Sequence, residues 1–130
     1  MMKKYIILIL WGFFGLYAQD SLKDTVESIP SIESLKGLEL YGNDDYIFLD
    51  VRTVYEHEMK AIPKTQVIPV QELEDRVEEL KPIKDKKIIV YCRSGNRSRT
   101  GTKILLKHGY DATNLLGGMN HWKGPVAVDE

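Results

Sequence analysis

The sequence predicts an α/β domain with a central parallel sheet of about five strands, covered by helices on both faces. Two observations lead to this prediction. Short apolar runs alternate with segments of helical spacing along residues 31–128. The run at residues 88–91 is apolar at every position, as expected for a parallel strand that is buried on both faces.

The predicted elements alternate in chain order. Helices are predicted over residues 32–40, 53–59, 70–80 and 98–108, and strands over 46–51, 67–70, 88–91 and 113–116. The segment 70–80 is the clearest helix, because its apolar residues recur at intervals of three, four and three before Pro82 ends it. Gly109 similarly ends the helix predicted over 98–108.

The first eighteen residues are predicted to be a signal peptide. Residues 1–4 are basic, residues 5–16 form an apolar run, and a cut after Ala18 fits the small-residue rule. An uncleaved membrane anchor is the alternative, although this run is shorter than the roughly twenty residues that a span needs. We expect residues 19–30 to be a linker, residues 31–128 to be the domain, and the protein to be periplasmic or secreted.

The charge of the chain argues against nucleic acid as a partner. Removing residues 1–18 takes away Lys3 and Lys4 and changes the formal net charge from −1 to −3. The basic residues nevertheless concentrate on or after the single cysteine, at Arg93, Arg97, Arg99, Lys103 and Lys107. Such a cluster can steer a small anion toward that cysteine.

Cys92 has the sequence context of a nucleophile. It follows the predicted strand 88–91, at the sheet edge where open α/β sheets bind their ligands. A lone cysteine is more often a core residue, but the next six residues contain no apolar side chain. Gly95 and Asn96 tolerate positive φ, so the loop can turn its N–H groups toward the sulfur. The sequence therefore predicts a thiolate whose pKa lies below the free value of about 8.5.

The segment Cys-Arg-Ser-Gly-Asn-Arg-Ser at residues 92–98 resembles the active-site loop of single-domain rhodaneses, the thiosulfate sulfurtransferase family. Two further motifs resemble the family in its order: Asp-Val-Arg at residues 50–52 with Glu56, and Leu-Leu-Gly-Gly-Met at residues 115–119 with Trp122. The resemblance covers about residues 31–128. It implies the rhodanese-like three-layer α/β/α fold.

The resemblance also implies a mechanism. The Cys92 thiolate attacks the outer sulfur of thiosulfate, expels sulfite and becomes a persulfide, from which cyanide or a thiol takes the sulfur. The expected substrate-binding residues are Arg93, Ser94, Gly95, Asn96, Arg97 and Ser98. Ser98 either donates its hydroxyl to the sulfur or caps the following helix. We expect a small anionic donor, a thiol or cyanide acceptor with a thioredoxin-like protein among the candidates, a monomer, and neither a metal nor an organic cofactor.

Several residues near the loop are expected to be structural. Asp50 interrupts an apolar strand and is predicted to be a buried carboxylate that needs hydrogen-bond donors. Arg52 is expected to form an i, i+4 salt bridge with Glu56. Gly117-Gly118 is expected to form a tight turn, and Trp122 to pack in the core. The histidines have no metal-ligand spacing and are expected at the surface or at helix ends: His57, His108 and His121.

The length of the loop separates two reaction classes. Phosphatases of a related fold need five residues between cysteine and arginine, whereas four separate Cys92 from Arg97 and position 98 is serine. The shorter loop favours sulfur transfer over an arsenate reductase or phosphatase.

A non-catalytic persulfide carrier or redox-sensing module remains the alternative. Residues 60–69 lack both glycines and the histidine of the family pattern, which leaves the acceptor preference open.

Overall fold

The computed structural model describes residues 28–129. The strands are β1 (Ser31–Ile32), β2 (Tyr46–Asp50), β3 (Lys60–Ala61), β4 (Gln66–Val67), β5 (Lys87–Tyr91), β6 (Asp111–Leu115) and β7 (Ala127–Val128). The helices are α1 (Ser34–Leu40), α2 (Val54–Met59), α3 (Val70–Arg76), α4 (Asn96–Lys107) and α5 (Gly118–His121), and a 3₁₀ helix covers Val77–Ile83. The predicted signal peptide, residues 1–18, and most of the predicted linker lie outside the described residues.

The central sheet has five parallel strands in the order β1-β6-β5-β2-β4, which confirms the predicted fold class. β2 and β5 pair along their whole length, and Asp50 lies beside Tyr91 in this register. Parallel neighbours end at the same edge of a sheet. The residues that follow β2 and β5 are therefore brought together at the carboxyl edge.

The two faces of the sheet carry different cores. Side chains of a strand alternate between faces, so Ile88, Val90 and Cys92 join the aliphatic cluster against α3 and α4. Ile89 and Tyr91 join the opposite cluster, which is rich in aromatic residues. There the rings of Tyr41, Phe48 and Trp122 meet edge to face with centroids 5.7–5.9 Å apart. Trp122 is 7% exposed, which confirms its predicted place in the core.

Five predicted boundaries differ from the structure by two residues or more. The strand predicted over 113–116 begins at Asp111. The helix predicted from residue 32 begins at Ser34, because Ser31–Ile32 pairs with β6. The helix predicted over 70–80 ends at Arg76 and continues as a 3₁₀ helix that contains Pro82. The strand predicted over 67–70 is only Gln66–Val67, because Val70 already begins α3. The helix predicted from Ser98 begins two residues earlier.

A second small sheet was not predicted. β3 pairs with β7 in antiparallel orientation, Lys60 beside Val128 and Ala61 beside Ala127. Strands of two residues are too short to show an alternating pattern in the sequence. Within residues 28–129, no helix is long and apolar enough to cross a membrane.

Candidate active site

Cys92 lies in a cradle of hydrogen-bond donors at the carboxyl end of β5. Its side chain is almost completely buried, and the N–H of Gly95 donates to Sγ at 3.1 Å. The hydroxyl oxygen of Ser98 lies 3.3 Å from Sγ. The predicted turn of the loop N–H groups toward the sulfur is therefore present in the structure.

Opposing effects act on the pKa of the Cys92 thiol. Burial raises the pKa because it disfavours the charged form, whereas hydrogen bonds from the Ser98 hydroxyl and from the N–H groups of Ser98, Gly95 and Ser94 lower it. The hydrogen bonds outweigh burial, and the pKa lies below its ordinary value. The direction agrees with the prediction from the sequence.

Two glycines give the cradle its shape. Gly95 has φ +108°, a left-handed conformation that L side chains rarely adopt, and it directly precedes α4. Gly118 has φ +48°, and a Cβ atom there would collide with the carbonyl group of Cys92. This close approach lets the N–H groups of Met119 and Asn120 donate to the carbonyl oxygens of Cys92 and Arg93 at 2.9 and 3.0 Å. The predicted Gly117-Gly118 turn thus supports the active-site loop directly.

Ser98 is not the helix cap. The N-cap position of α4 is Gly95, and the Ser98 side chain is buried beside the sulfur. Its hydroxyl donates to Oδ1 of Asn114 at 2.6 Å. A hydroxyl has one proton, so the Ser98 proton must turn from Asn114 toward Cys92 in order to stabilise a thiolate.

Asn114 is absent from the predicted site residues, although it connects both ends of the cradle. It is 3% exposed, accepts a hydrogen bond from the Ser98 hydroxyl at Oδ1, and donates from Nδ2 to the Gly95 carbonyl oxygen at 3.2 Å. The available signal was an amide in a strand whose Ala112 and Leu115 are apolar, because a buried polar group must find hydrogen-bond partners.

Asp50 is fully buried at the end of β2, as predicted. Its carboxylate accepts a hydrogen bond from the backbone N–H of Arg52 at 2.9 Å. The Arg52 side chain donates from Nε to the two carboxylate oxygens at 3.0 and 3.1 Å, and from Nη2 to Oδ2 at 2.8 Å. His57 Nδ1 lies 2.9 Å from Oδ2, and it must carry a proton to bond an ionised carboxylate. His57 lies in the last turn of α2, in agreement with the expectation of a surface or helix-end residue, and its ring also contacts this buried carboxylate.

The predicted salt bridge between Arg52 and Glu56 is wrong. Arg52 lies before α2 and turns to Asp50, so its spacing from Glu56 is not that of a helix face. Glu56 instead pairs with Arg97, with Nη1–Oε2 and Nη2–Oε1 distances of 2.8 and 2.9 Å. Glu56 also forms a capping box with Thr53. The hydrogen bond from Arg97 is the main cause that lowers the Glu56 pKa to about 2.

The remaining predicted binding residues line the outside of the loop. The side chains of Arg93, Ser94 and Asn96 are exposed, whereas Arg97 is half-buried by its pair with Glu56. Two members of the predicted basic cluster have acidic partners: Lys107 pairs with Glu74 on α3, and Arg97 pairs with Glu56. Among residues 28–129, no group of three histidine, cysteine or acidic side chains has the arrangement of a metal site.

The chain belongs to the Rhodanese-like domain family, whose model matches residues 35–125. A sulfurtransferase from Allochromatium vinosum is 33% identical over 84 residues, which cover 64% of this chain and 77% of that protein. A putative sulfur carrier protein, YrkF, from Bacillus subtilis is 32% identical over 103 residues. That match covers 78% of this chain but only 55% of the relative.

A solved structure shows the same fold. The rhodanese-related protein from Thermoplasma volcanium is 32% identical, with a TM-score of 0.68, and the match covers 77% of this chain and 99% of that one. The family and its sulfurtransferase relatives support sulfur transfer in general.

Proposed function

We propose that the protein is a sulfurtransferase that moves sulfane sulfur from thiosulfate, or a similar small anionic donor, to a thiophilic acceptor through a persulfide on Cys92. The observation that carries the proposal is the position of Sγ, 3.1 Å from the N–H of Gly95 and 3.3 Å from the hydroxyl of Ser98. Neutral donors stabilise a thiolate and do not cover it with a counter-charge.

The reaction divides into two displacements at sulfur. The Cys92 thiolate attacks the outer sulfur of thiosulfate; a new S–S bond forms, the S–S bond of the donor breaks, and sulfite leaves with the electron pair. Cyanide or an acceptor thiolate then attacks the outer sulfur of the persulfide. The Cys92–sulfur bond breaks, and its electron pair restores the Cys92 thiolate.

Arg97 is the proposed anchor for the charged end of the donor, together with Arg93 and the N–H groups of the loop. A guanidinium group has five N–H donors, and the contacts of Arg97 with Glu56 use one from each Nη atom. The other three are not used by Glu56, and a sulfonate can accept from those on one edge of the group. Arg93 is exposed beside Cys92 and can approach the same anion.

The compartment and partners are part of the proposal. We infer an exported protein, periplasmic or secreted, from the sequence of residues 1–18. A thiol on a thioredoxin-like protein is a candidate acceptor there. Mass spectrometry of the N-terminal peptide in whole cells and in the periplasmic fraction tests the export of the protein. Finding the protein only in the cytoplasmic fraction, with residues 1–18 still attached, would contradict export.

The test combines mass spectrometry with turnover. After incubation with thiosulfate, the peptide that contains Cys92 should gain the mass of one sulfur atom. Thiosulfate plus cyanide should then yield thiocyanate over many turnovers, and Cys92→Ser should abolish both results. Absence of the sulfur adduct on intact protein would contradict the proposal.

A persulfide carrier is the second candidate, favoured by the resemblance to a relative with the name of a sulfur carrier. The same experiment separates the two functions. A single sulfur load on Cys92 without turnover by cyanide or by small thiols would support a carrier. Oxidation of Cys92 that changes binding to a partner, with no transferable sulfur, would support a redox sensor.

A further inference from the structure

A shallow groove of about 330 Å³ lies beside the active-site loop, between α2 and α5. Arg93, the residue after the nucleophile, lines one side, and Tyr55 and Met59 of α2 line the other. Met119 of α5 also lines the groove. Its N–H donates to the carbonyl oxygen of Cys92 at 2.9 Å, so the wall of the groove and the nucleophile share one hydrogen-bonded backbone.

The groove exposes two apolar side chains of α2 that belong to neither core cluster, whereas Met119 packs against the aromatic-rich cluster. Tyr55 is 71% exposed and Met59 is 47% exposed, while Met119 is partly buried. Tyrosine and methionine are enriched where proteins contact one another. Thiosulfate and cyanide offer these side chains no apolar surface to bury, so neither of them explains this part of the groove.

The uncompensated charge of the groove is positive. Two of the charged residues that line it are already neutralised, because Arg52 pairs with Asp50 and Glu56 pairs with Arg97. Arg93 and Lys60 form no salt bridge with any residue in the range 28–129. Two cations without a salt bridge among the described residues therefore line the groove together with its apolar side chains, in a chain whose formal net charge is −1.

We propose that this groove docks a protein acceptor, through a segment in which a cysteine is flanked by apolar and acidic residues. The inference rests on the proposed function and names the partner class of the same site. The shape favours a protein segment over a small thiol, because small-molecule sites enclose most of their ligand, whereas this groove is shallow. The acidic residues contact Arg93 and Lys60, and the apolar residues cover Tyr55, Met59 and Met119.

The docked thiolate receives the sulfur in one displacement. It attacks the outer sulfur of the Cys92 persulfide and forms a new S–S bond. The bond between that sulfur and Cys92 breaks, and its electron pair returns to the Cys92 sulfur. The acceptor leaves as a persulfide, and no external oxidant or reductant is required.

The test measures sulfur loss from persulfide-loaded protein to four acceptors. They are cyanide, glutathione, a short synthetic peptide with a central cysteine between leucines and glutamates, and the same peptide with lysines in place of the glutamates. The groove variants are Tyr55→Ser and Lys60→Glu. Leu35→Ser and Lys81→Glu are matched controls, since Leu35 is also 71% exposed and Lys81 is exposed, and both lie outside the groove. Thermal unfolding checks that every variant folds.

The groove variants should slow transfer to the glutamate peptide by about fivefold or more, and Lys60→Glu should speed transfer to the lysine peptide. The groove variants should transfer sulfur to cyanide at the wild-type rate. The two control variants should transfer sulfur to every acceptor at the wild-type rate. Equal slowing for all acceptors, or no slowing for any, would overturn the inference. Equal slowing for glutathione would assign the groove to small thiols instead, and concentration-dependent self-association lost in Tyr55→Ser would assign it to a second copy of the chain.

A binding measurement separates this inference from the proposed function. A fluorescent glutamate peptide with serine in place of its cysteine should bind wild-type protein more tightly than Lys60→Glu, as measured by anisotropy. Binding without any sulfur load on Cys92 would contradict the proposed function alone. Sulfur loading with cyanide turnover, but without peptide binding, would contradict the docking groove alone.

Discussion

Two neighbouring loops at the carboxyl edge of the sheet hold ionisable groups by opposite means. After β2, the buried carboxylate of Asp50 is held by the full charge of Arg52 and by the ring of His57. After β5, the buried sulfur of Cys92 is held by the N–H of Gly95 and the hydroxyl of Ser98. A bidentate cation fixes a charge and covers it, whereas dipoles favour the charge and leave it free to react. The comparison indicates a structural role for the first loop and a chemical role for the second.

The largest expected effect comes from the first loop. Asp50→Asn leaves the Arg52 guanidinium, 6% exposed, without its counter-charge. We expect a loss of about 3–5 kcal/mol in the free energy of unfolding, because removing one partner of a buried ion pair is strongly destabilising. Urea unfolding measures this. Asp45→Asn, at an exposed position, is the control and should change little. A loss below about 1 kcal/mol for Asp50→Asn would remove the contrast between the two loops.

The next prediction concerns the backbone of the second loop. Gly118→Ala should lower the free energy of unfolding by about 2–4 kcal/mol, because the strain of the left-handed conformation adds to a collision with the Cys92 carbonyl group. Gly42→Ala is the matched control: Gly42 has φ +87° but no atom near the added Cβ, so only strain of about 1 kcal/mol is expected. Equal losses in urea unfolding for the two variants would show that the contact with the active-site loop contributes nothing.

This contrast also explains what the sequence could predict. The strand, the turn at Gly95 and the start of α4 are neighbours along the chain, so their residue types indicated the cradle directly. Asp50 was predicted to be buried because a charge in an apolar strand is conspicuous. Local backbone geometry and local burial were therefore readable from the residues themselves.

The partners of the charged side chains could not be predicted in the same way. Glu56 and Arg97 are 41 residues apart, and Ser98 and Asn114 are 16 apart. Only the pairing of the strands brings these residues together. The spacing of Arg52 and Glu56 predicted a salt bridge between them. That salt bridge does not form, because Arg52 lies in the turn before α2 and its side chain binds the nearer Asp50.

A smaller effect tests the pair that joins the two loops. Glu56→Gln keeps the capping box but removes the charge facing Arg97. Because this ion pair is partly exposed, the free energy of unfolding at neutral pH should fall by about 1 kcal/mol. The folded pKa of Glu56, about 2, lies below its ordinary value of 4.5. Its contribution is therefore present above pH 4.5 and is lost as the pH falls toward 2.

Urea unfolding of wild type and Glu56→Gln across this pH range measures the effect. The difference in stability between the two proteins should shrink as the pH falls. Glu58→Gln, an exposed neighbour on α2, is the control and should show no such convergence. A difference that stays constant from neutral pH to pH 3 would mean that the charge of Glu56 does not stabilise the fold.

The smallest expected effect is a gain in stability. Lys64 has φ +61°, a left-handed conformation that L side chains other than asparagine and aspartate rarely adopt. Lys64→Gly should relieve left-handed strain and stabilise the protein by about 0.5–1 kcal/mol, after the entropy cost of glycine is subtracted. Thermal unfolding should show a Tm higher by a few degrees. Lys64→Ala keeps the Cβ atom and should give no gain; an equal gain would attribute the effect to the lysine charge instead.

The central claim is that hydrogen bonds of the loop stabilise the Cys92 thiolate despite its burial. Ultraviolet thiolate absorbance measured against pH, with Cys92→Ser as the blank, tests it most directly. The account predicts a midpoint below the free-cysteine value of about 8.5 and a higher midpoint in Ser98→Ala, which loses one donor to the sulfur. A wild-type midpoint at or above about 8.5, unchanged in Ser98→Ala, would contradict it.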